Sequence, residues 1–450
     1  MKLNPSTTSI VKRLLSGRNS RPLRSILNKL EPMDLASLLG QLNVRERRLL
    51  LEALLTIDKA AQTLWEVPDS QLPVFMKALS DQKLTELFIS ANDEHVAYFL
   101  SAMPEPEQER FLAELGSEKS SKVKQLLSYP EDSAGRLMES DIFTVLTDYT
   151  AKEGLEALRK AAQEQSIYYI YCVDKEQRLE GVLSLRDLAT APQDTKLKDL
   201  IKKDVITVHP EASTEEAARI VAHYDFIAIP VVNKDKTLLG VITVDDVVDI
   251  IQEQATANIY AQVGLQEDDR VYSENFFKIK NRIPWMVLNL FLAAVASSVV
   301  SLFEGTMSEL IILASLKNIV SGMGGNTAIQ SLTVVTRGIA TGDFSFITKA
   351  KTILKETLVG SSIGLVMGVL AGVLTYVWKG NLMVSIIICI SMIINSLVAS
   401  SMGAIVPIAL DKLKKDPAAG SGVIVTTFMD IFSFFTFLGI ASLGLKFIAH

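Results

Sequence analysis

The sequence predicts a multidomain membrane protein with an all-α superhelical N domain, an α/β pair of tandem domains and an α-helical membrane domain. Three observations lead to this fold class. Residues 31–127 carry short amphipathic patterns, residues 168–188 and 226–247 repeat one strand pattern, and long apolar runs follow residue 282. A chain of 450 residues is also long enough for about three domains, at roughly 150 residues each.

Composition excludes several classes of protein. Cys172 and Cys389 are too few for a disulfide framework, and the first thirty residues lack the unbroken apolar stretch of a signal peptide. Residues 1–282 hold 35 basic and 44 acidic side chains, whereas residues 283–450 hold 10 and 7. The acidic balance argues against nucleic-acid binding. The four histidines are scattered and no nucleophile–base pair is visible, so we expect neither a zinc site nor an enzyme.

The first domain, residues 1–130, is predicted to be a cytosolic stack of short helices. Its apolar residues recur at three- and four-residue spacings, the period of a helix with one buried face. Prolines divide this pattern into short segments, and they are Pro32, Pro68, Pro73, Pro104 and Pro106. Such a stack is typical of a regulatory or interaction element.

An internal repeat defines the second region, residues 131–252. The pattern YYIYCVDKEQRLEGVLSLRDL at 168–188 matches FIAIPVVNKDKTLLGVITVDDV at 226–247, and Gly181 and Gly240 are 59 residues apart. Each copy predicts a helix (150–165 in the first copy), two strands joined by a turn, and a second helix with a Ser/Thr cap. This order resembles tandem CBS domains, here about residues 138–190 and 201–252. The resemblance implies a regulatory pair that often holds a nucleotide in its cleft.

A connecting helix is predicted at residues 253–282, followed by a membrane domain at 283–450. Five runs are long enough to cross a hydrocarbon core, which needs about 20 apolar residues per helix. They lie at 283–303, 310–336, 353–378, 382–410 and 422–445. Lysines and arginines gather before the first run, between the second and third, and between the fourth and fifth. By the positive-inside rule, this multi-pass protein of the cytoplasmic membrane has a cytosolic N-terminus and an external C-terminus.

Polar residues interrupt the second run in SGMGGNTAIQSLT, residues 321–333, which includes Asn326 and Gln330. Such sequence is tolerated at membrane depth only when it is buried in protein or lines water. The third run has glycines at four-residue spacing, at Gly360, Gly364, Gly368 and Gly372. This spacing predicts close helix packing rather than chemistry.

Asp430 is the most informative membrane residue, because it is the only carboxylate of the last run and lies near its middle. A charge at that depth costs about 2.5 to 3.5 kcal/mol on insertion scales, so an intramembrane acid is by default a transport residue. Two other roles stay open: an ion pair with Lys317, and a structural bond to a hydroxyl such as Thr426 or Thr427. One carboxylate supplies few ligands for a hard cation, so two copies facing each other in a homodimer would suit the ion better.

The whole chain resembles MgtE-type magnesium channels and transporters, and its membrane half resembles the wider divalent-cation transporter family. The resemblance rests on the order of the parts and on the motifs SGMGGNTAIQS, YYIYCVD, SLRDL, HYDF, TVDDV, DPA and TTFMD. It implies a homodimer in the lipid membrane whose interface pore passes divalent cations, chiefly Mg²⁺. On matching positions, Asp430 and Asn326 would lie beside the hydrated ion.

The resemblance also implies regulation by Mg²⁺ and ATP. The candidate regulatory metal residues are Asp225, Asp245, Asp246 and Asp249. The candidate nucleotide residues are Tyr169, Arg186, Asp187 and Phe226. The chain departs from the acidic family pattern at Asn92, Val96, Gln252, Gln254, Ala257 and Asn258. These departures predict weaker magnesium sensing.

Two other functions stay open on the sequence. One is proton- or sodium-coupled transport of a divalent cation, and the other is nucleotide sensing at the membrane without transport. The intramembrane acid and the interrupted second run disfavour the latter, because a membrane anchor needs neither.

Overall fold

The computed structural model describes residues 5–17, 20–161, 167, 169–266, 269–271 and 273–448. Tyr168 of the first repeat, the predicted helix end at 162–165 and His450 lie outside the described residues. The chain divides into two compact units, Met1–Gln252 and Glu253–His450, which we call the N-terminal and C-terminal units.

The N-terminal unit begins with the predicted stack of short helices. They are α1 (Pro5–Leu15), α2 (Ser20–Leu27), α3 (Pro32–Gly40), α4 (Val44–Leu55), α5 (Ala60–Trp65), α6 (Leu72–Met76), α7 (Asp81–Ser90), α8 (Asp93–Ser101), α9 (Glu105–Glu114) and α10 (Ser117–Ser128). Pro32 and Pro73 lie in the first turns of α3 and α6, and Pro104 is the N-cap of α9. Proline suits these positions because a helix start needs no donor there, so the prolines separate the helices as predicted.

The two repeats follow in the predicted order. The first comprises α11 (Ala134–Leu137), β1 (Thr144–Leu146), α12 (Ala151–Ala161), β2 (Tyr169–Val173), β3 (Leu179–Ser184) and α13 (Leu185–Thr190). The second comprises α14 (Thr214–Tyr224), β4 (Ala228–Val232), β5 (Leu238–Thr243) and α15 (Val244–Gln262). Strand β1 is parallel to β2, and both hairpins, β2–β3 and β4–β5, are antiparallel. In the second repeat a single parallel bridge, Val208 to Val231, stands where β1 stands in the first.

The repeated glycines allow the backbone to approach each hairpin closely. A Cβ atom on Gly181 would lie 2.7 Å from the carbonyl oxygen of Lys202, and one on Gly240 would lie 2.8 Å from that of Glu139. Lys202 bridges to the first hairpin, and Glu139 bridges to the second. Each hairpin therefore receives the chain segment that leads into the other repeat, which explains the spacing of the two glycines.

The helical stack and the second repeat share one apolar core. It includes Phe88 and Phe99 from the stack and Val221 and Ile229 from the second repeat. The first repeat has a separate core around Ile170. Any change that loosens the stack therefore also exposes apolar surface of the second repeat.

The C-terminal unit is helical. It contains α16 (Asn275–Ser301), α17 (Glu304–Glu309), α18 (Ile312–Thr341), α19 (Lys349–Lys379), α20 (Leu382–Lys412) and α21 (Ser421–Ile448). Among the described residues, α16, α19, α20 and α21 are long and apolar enough to cross a membrane. Helix α18 carries the polar interruption and is not in that group, so the count of five spans stays a prediction.

Helix α20 packs against both α18 and α19, and α18 also packs against α21. A Cβ atom on Gly360 would lie 2.1 Å from Ser400 Oγ of α20, and one on Gly368 would lie 2.7 Å from the carbonyl oxygen of Cys389. The glycine stripe of α19 is therefore a packing surface, as predicted.

The stretch predicted as a connecting helix contains three parts. Helix α15 continues from the second repeat to Gln262, residues 263–274 are not helical where the structure describes them, and α16 begins at Asn275. The amide of Gly420 donates to the carbonyl oxygen of Ala261 at 2.9 Å. The end of α15 thus contacts the loop immediately before α21.

Candidate functional site

Asp430 lies on α21, partly buried, and faces α18. Its Oδ1 accepts a hydrogen bond from the hydroxyl of Ser321. Thr426 instead donates to the carbonyl oxygen of Gly422 on its own helix at 2.8 Å. The hydroxyl that bonds Asp430 therefore comes from the interrupted helix α18, a partner that spacing within the last run did not predict.

Lys317 does not neutralise this carboxylate. Its Nζ lies 4.8 Å from the ring centroid of Phe434 and donates to Asn318 Oδ1 at 3.2 Å. Within residues 273–448, no lysine, arginine or histidine forms an ion pair with Asp430. The carboxyl of Asp430 is thus held by a neutral hydroxyl rather than by a basic side chain.

Asn326 lies on an exposed polar face of α18. The exposed polar side chains follow helical spacing at Asn326, Gln330, Thr333 and Arg337, and the exposed Gly322, Ile319 and Val334 lie beside them. The opposite face, with Ser321 and Thr327, is buried against the rest of the unit. In a membrane-spanning helix, such polar side chains require water or protein beside them rather than lipid.

Ile329 on α18 and Gly422 on α21, which lie near the candidate ion residues in sequence, have packing roles. Ile329 packs on the apolar cluster that includes Val425 and Met429. A Cβ atom on Gly422 would lie 2.4 Å from the carbonyl oxygen of Gln262. Gly422 therefore lets the end of α15 approach the first turn of the helix that carries Asp430.

Of the predicted regulatory acids, Asp246 is the most buried. Its Oδ2 accepts hydrogen bonds from Thr243 Oγ1 at 2.7 Å and from the Thr243 backbone amide at 3.4 Å, at the start of α15. Asp187 is its counterpart in the first repeat, where Ser184 Oγ donates to Asp187 Oδ2 at 2.7 Å. Burial raises the pKa of Asp246 to about 6, and the nearby Asp245 and Asp249 add to this. Ionising Asp246 is therefore unfavourable in the folded protein, chiefly because the carboxyl is buried.

Sequence reasoning missed further acids that lie near Asp246. Burial raises the pKa of Glu139 to about 7, with repulsion from Asp246 and Glu94 adding to it. Burial also raises the pKa of Glu94, and burial together with Asp249 raises that of Glu66. No local motif marks these residues, because Glu66 and Glu94 belong to the helical stack and become neighbours of the repeat only on folding.

We call Glu66, Glu94, Glu139, Asp245, Asp246 and Asp249 the acidic surface. Asp225, the other predicted regulatory residue, ends α14 in a left-handed conformation with φ of 54°. Within the part of the chain that the structure describes, no three His, Cys, Asp or Glu side chains converge tightly enough to enclose a metal. The arrangement suits a hydrated cation that bridges separate elements rather than a preformed cage.

The candidate nucleotide residues lie in both repeats. Tyr169 pairs with Ser184 across β2 and β3, which brings it to the end of the hairpin where α13 begins. Arg186 and Asp187 are exposed in the first turn of α13. Phe226 lies in the second repeat, where its ring stacks on Tyr224 with centroids 5.4 Å apart.

Three regions of the chain match known protein families. Residues 318–440 match the MgtE divalent cation transporter family, residues 30–132 match the MgtE intracellular N domain, and residues 134–194 and 197–253 match CBS domains. The magnesium transporter MgtE of Bacillus subtilis is 32% identical over 430 residues, 95% of each chain. The chain belongs to the MgtE family of magnesium transporters. The Thermus thermophilus MgtE is also 32% identical, over 95% of this chain and 96% of its own.

Two solved structures from magnesium-transport proteins match about half of the chain. The soluble part of a magnesium transporter has a TM-score of 0.52 and 25% identity, and covers 56% of this chain and 98% of its own. The cytosolic domain of the Mg²⁺ channel MgtE in complex with ATP has a TM-score of 0.50 and 34% identity, with 54% and 99% covered. The helical N domain, the tandem CBS domains and the family membership are thus confirmed.

Proposed function

We propose that this chain forms a homodimeric Mg²⁺ channel in the cytoplasmic membrane, with the ion pathway between the two subunits. The observation that carries the proposal is the exposed polar face of α18 beside the helix of Asp430. Lipid is unsuited to a polar helix face and to the carboxyl group of Asp430. A second copy would cover the face and enclose a water-filled path.

Asp430 and Asn326 would hold the ion in its hydrated form. Mg²⁺ dehydrates reluctantly and demands octahedral geometry, so protein oxygens would contact its water shell. Two copies of Asp430 would supply two negative charges to one divalent ion. The Ser321 hydroxyl bonds Oδ1, and in this proposal it would orient the carboxylate toward the pathway.

The acidic surface of the N-terminal unit, with Asp225, would sense cytosolic Mg²⁺. Burial raises the pKa values of Glu139 and Asp246, and repulsion between neighbouring carboxylates adds to the rise. A bridging cation replaces that repulsion with attraction and favours the conformation that binds it. The contact between the end of α15 and the loop before α21 supports transmission of this change to the pore.

ATP would bind the CBS pair through Tyr169, Arg186, Asp187 and Phe226. The aromatic rings suit the base, and the exposed Arg186 suits phosphate. The match to an ATP-bound MgtE cytosolic domain supports this part of the proposal.

The test is magnesium flux into proteoliposomes that contain the full-length protein. Asp430→Asn should abolish flux while dimer assembly in detergent is unchanged, and Asp430→Glu should be milder because the charge remains. Glu356→Gln, which neutralises a carboxylate on α19, is the control and should transport normally. Normal flux through Asp430→Asn would refute the proposal. Flux that requires an imposed proton or sodium gradient would indicate coupled transport instead of a channel.

A further inference from the structure

Asn395 is a buried amide between the helix that carries Asp430 and the helix that carries Asn326. It lies on α20 and is 1% exposed. Its Nδ2 donates to the carbonyl oxygen of Val320 on α18 at 2.8 Å, and its Oδ1 accepts from Ser433 Oγ on α21 at 2.8 Å. A single side chain therefore connects α18 to α21.

Both partners of Asn395 adjoin the bond that holds Asp430. Val320 immediately precedes Ser321, the residue whose hydroxyl donates to Asp430. Ser433 follows Asp430 by three residues, almost one helical turn. Sliding of α18 along α21 would break the Asn395 bonds in the same movement that displaces Ser321 from Asp430.

Gly324 provides the space for this amide. A Cβ atom there would lie 2.3 Å from Asn395 Nδ2 and 3.0 Å from Ser433 Oγ. Gly322 and Gly325, on either side, would place a Cβ atom in open space within this chain. One glycine of the GMGGNT segment is thus required by the amide on α20.

We infer that Asn395 is a positioning residue of the ion site, which fixes the register of α18 against α21. This inference rests on the proposed role of Asp430 in the ion pathway. The shell of a hydrated Mg²⁺ has strict octahedral geometry, so affinity depends on the relative placement of the groups around it. Residues that orient metal ligands from behind typically change metal affinity 10- to 100-fold when they are replaced.

The experiment measures how magnesium flux into proteoliposomes depends on Mg²⁺ concentration, with full-length variants. Asn395→Ala and Ser433→Ala should each raise the half-saturating concentration about tenfold, with a smaller change in maximal flux. The double variant should have the same half-saturating concentration as Asn395→Ala alone, because both substitutions remove the same connection between α18 and α21. Gly324→Ala should have the same effect by displacing the amide.

Ser401→Ala is the matched control. It removes the hydrogen bond of 2.9 Å between Ser401 on α20 and Thr357 on α19, which is also interhelical but remote from the connection of α18 to α21. It should leave the half-saturating concentration unchanged. An equal rise in this control, or additive effects of Asn395→Ala and Ser433→Ala, would indicate general packing damage and overturn the inference.

Failure of the inference and failure of the proposed function are distinguishable. Wild-type half-saturation in Asn395→Ala and Ser433→Ala, together with an inactive Asp430→Asn, would overturn the positioning role and leave the channel proposal intact. Normal flux through Asp430→Asn would overturn the channel proposal itself. If Asn395→Ala does not assemble, the result for Ser433→Ala tests the inference instead. That substitution removes a single oxygen atom and disturbs the packing less.

Discussion

The surroundings of His95 in the helical stack determine its protonation state. Its ring centroid lies 4.6 Å from that of Trp65 and 6.2 Å from that of Phe99. Burial among these rings lowers the pKa of His95 to about 4. The folded protein therefore keeps this histidine neutral at any pH above that value.

The low pKa of His95 predicts acid sensitivity of the N-terminal unit. The unfolded chain binds the proton near pH 6.5, so the contribution of neutral His95 is lost as pH falls from about 6.5 to 4. The loss should reach about 3 kcal/mol at pH 4. The free energy of unfolding of residues 1–252 can be measured with urea at pH 7 and pH 4. Its fall between the two pH values should be smaller for His95→Phe than for the natural sequence. His223→Gln, which changes an exposed histidine, should leave the difference unaltered; an equal effect there would contradict the assignment.

The acidic surface has the opposite dependence on pH. Burial raises the pKa of Glu139 to about 7, so the folded state favours its protonated form. The contribution of a protonated Glu139 is complete below the unfolded value near 4.5 and is lost as pH rises through about 7. At neutral pH and above, the ionised surface therefore opposes folding unless a cation binds to it.

We predict that magnesium stabilises the N-terminal unit through this surface. At pH 8 without Mg²⁺, Glu139→Gln should raise the thermal midpoint of residues 1–252, because it removes a buried charge. Added millimolar Mg²⁺ should raise the midpoint of the natural sequence more than that of Glu139→Gln or Asp246→Asn. Asp187→Asn removes the charge of the equivalent exposed residue in the first repeat and should leave the magnesium effect intact. Equal magnesium effects in all four proteins would place the sensing ions elsewhere.

At the scale of whole elements, α19 and α20 depend on glycine for their contact. Cβ atoms on Gly360 and Gly364 would come within 2.1 Å of Ser400 Oγ and 2.8 Å of Ser396 Cβ, respectively. In a membrane, helices associate through close packing and hydrogen bonds rather than through the hydrophobic effect. The four-residue glycine spacing therefore determines how these two helices lie together.

Gly360→Ala should destabilise the C-terminal unit. An added methyl group in a closely packed site costs typically about 1 to 3 kcal/mol. The thermal midpoint of the detergent-solubilised protein, followed by loss of the monodisperse peak in size-exclusion chromatography, should fall. Gly305→Ala is the control, since a Cβ atom there meets nothing within 4 Å. An unchanged midpoint in Gly360→Ala would show that the helices can separate without cost.

For the whole molecule, the decisive feature is a polar surface that one chain leaves uncovered. Asn326 and Gln330 are exposed on α18, whereas the exposed residues of α19 include many apolar side chains such as Val369 and Leu370. The apolar surface suits lipid, and the polar one suits a second subunit.

A crosslinking experiment tests this assignment. With Cys172 and Cys389 replaced by alanine, Asn326→Cys should give a covalent dimer with a short bis-maleimide reagent in native membranes. Val369→Cys should remain monomeric on the same gel, because we expect it to face lipid. A dimer from Val369→Cys and none from Asn326→Cys would assign the interface to α19.

The sequence by itself determined the order of the domains, the presence of the stacked helices and the CBS repeat, and it singled out Asp430 as a candidate residue. These features depend on local information: apolar periodicity, proline positions, a repeat of 59 residues, and one acid in an apolar run. Such signals are carried by neighbouring residues, so no tertiary contact is needed to detect them.

Only the tertiary structure decided which residues surround the candidate sites. Ser321, rather than a hydroxyl of the last run, bonds Asp430, and Asn395 connects both helices from a third. Glu94 and Glu139 join Asp246 through folding of segments far apart in the chain. Burial and proximity determine these hydrogen bonds and the pKa values of these carboxyl groups. Both depend on how separate elements pack together. The local sequence pattern of one element does not encode that packing.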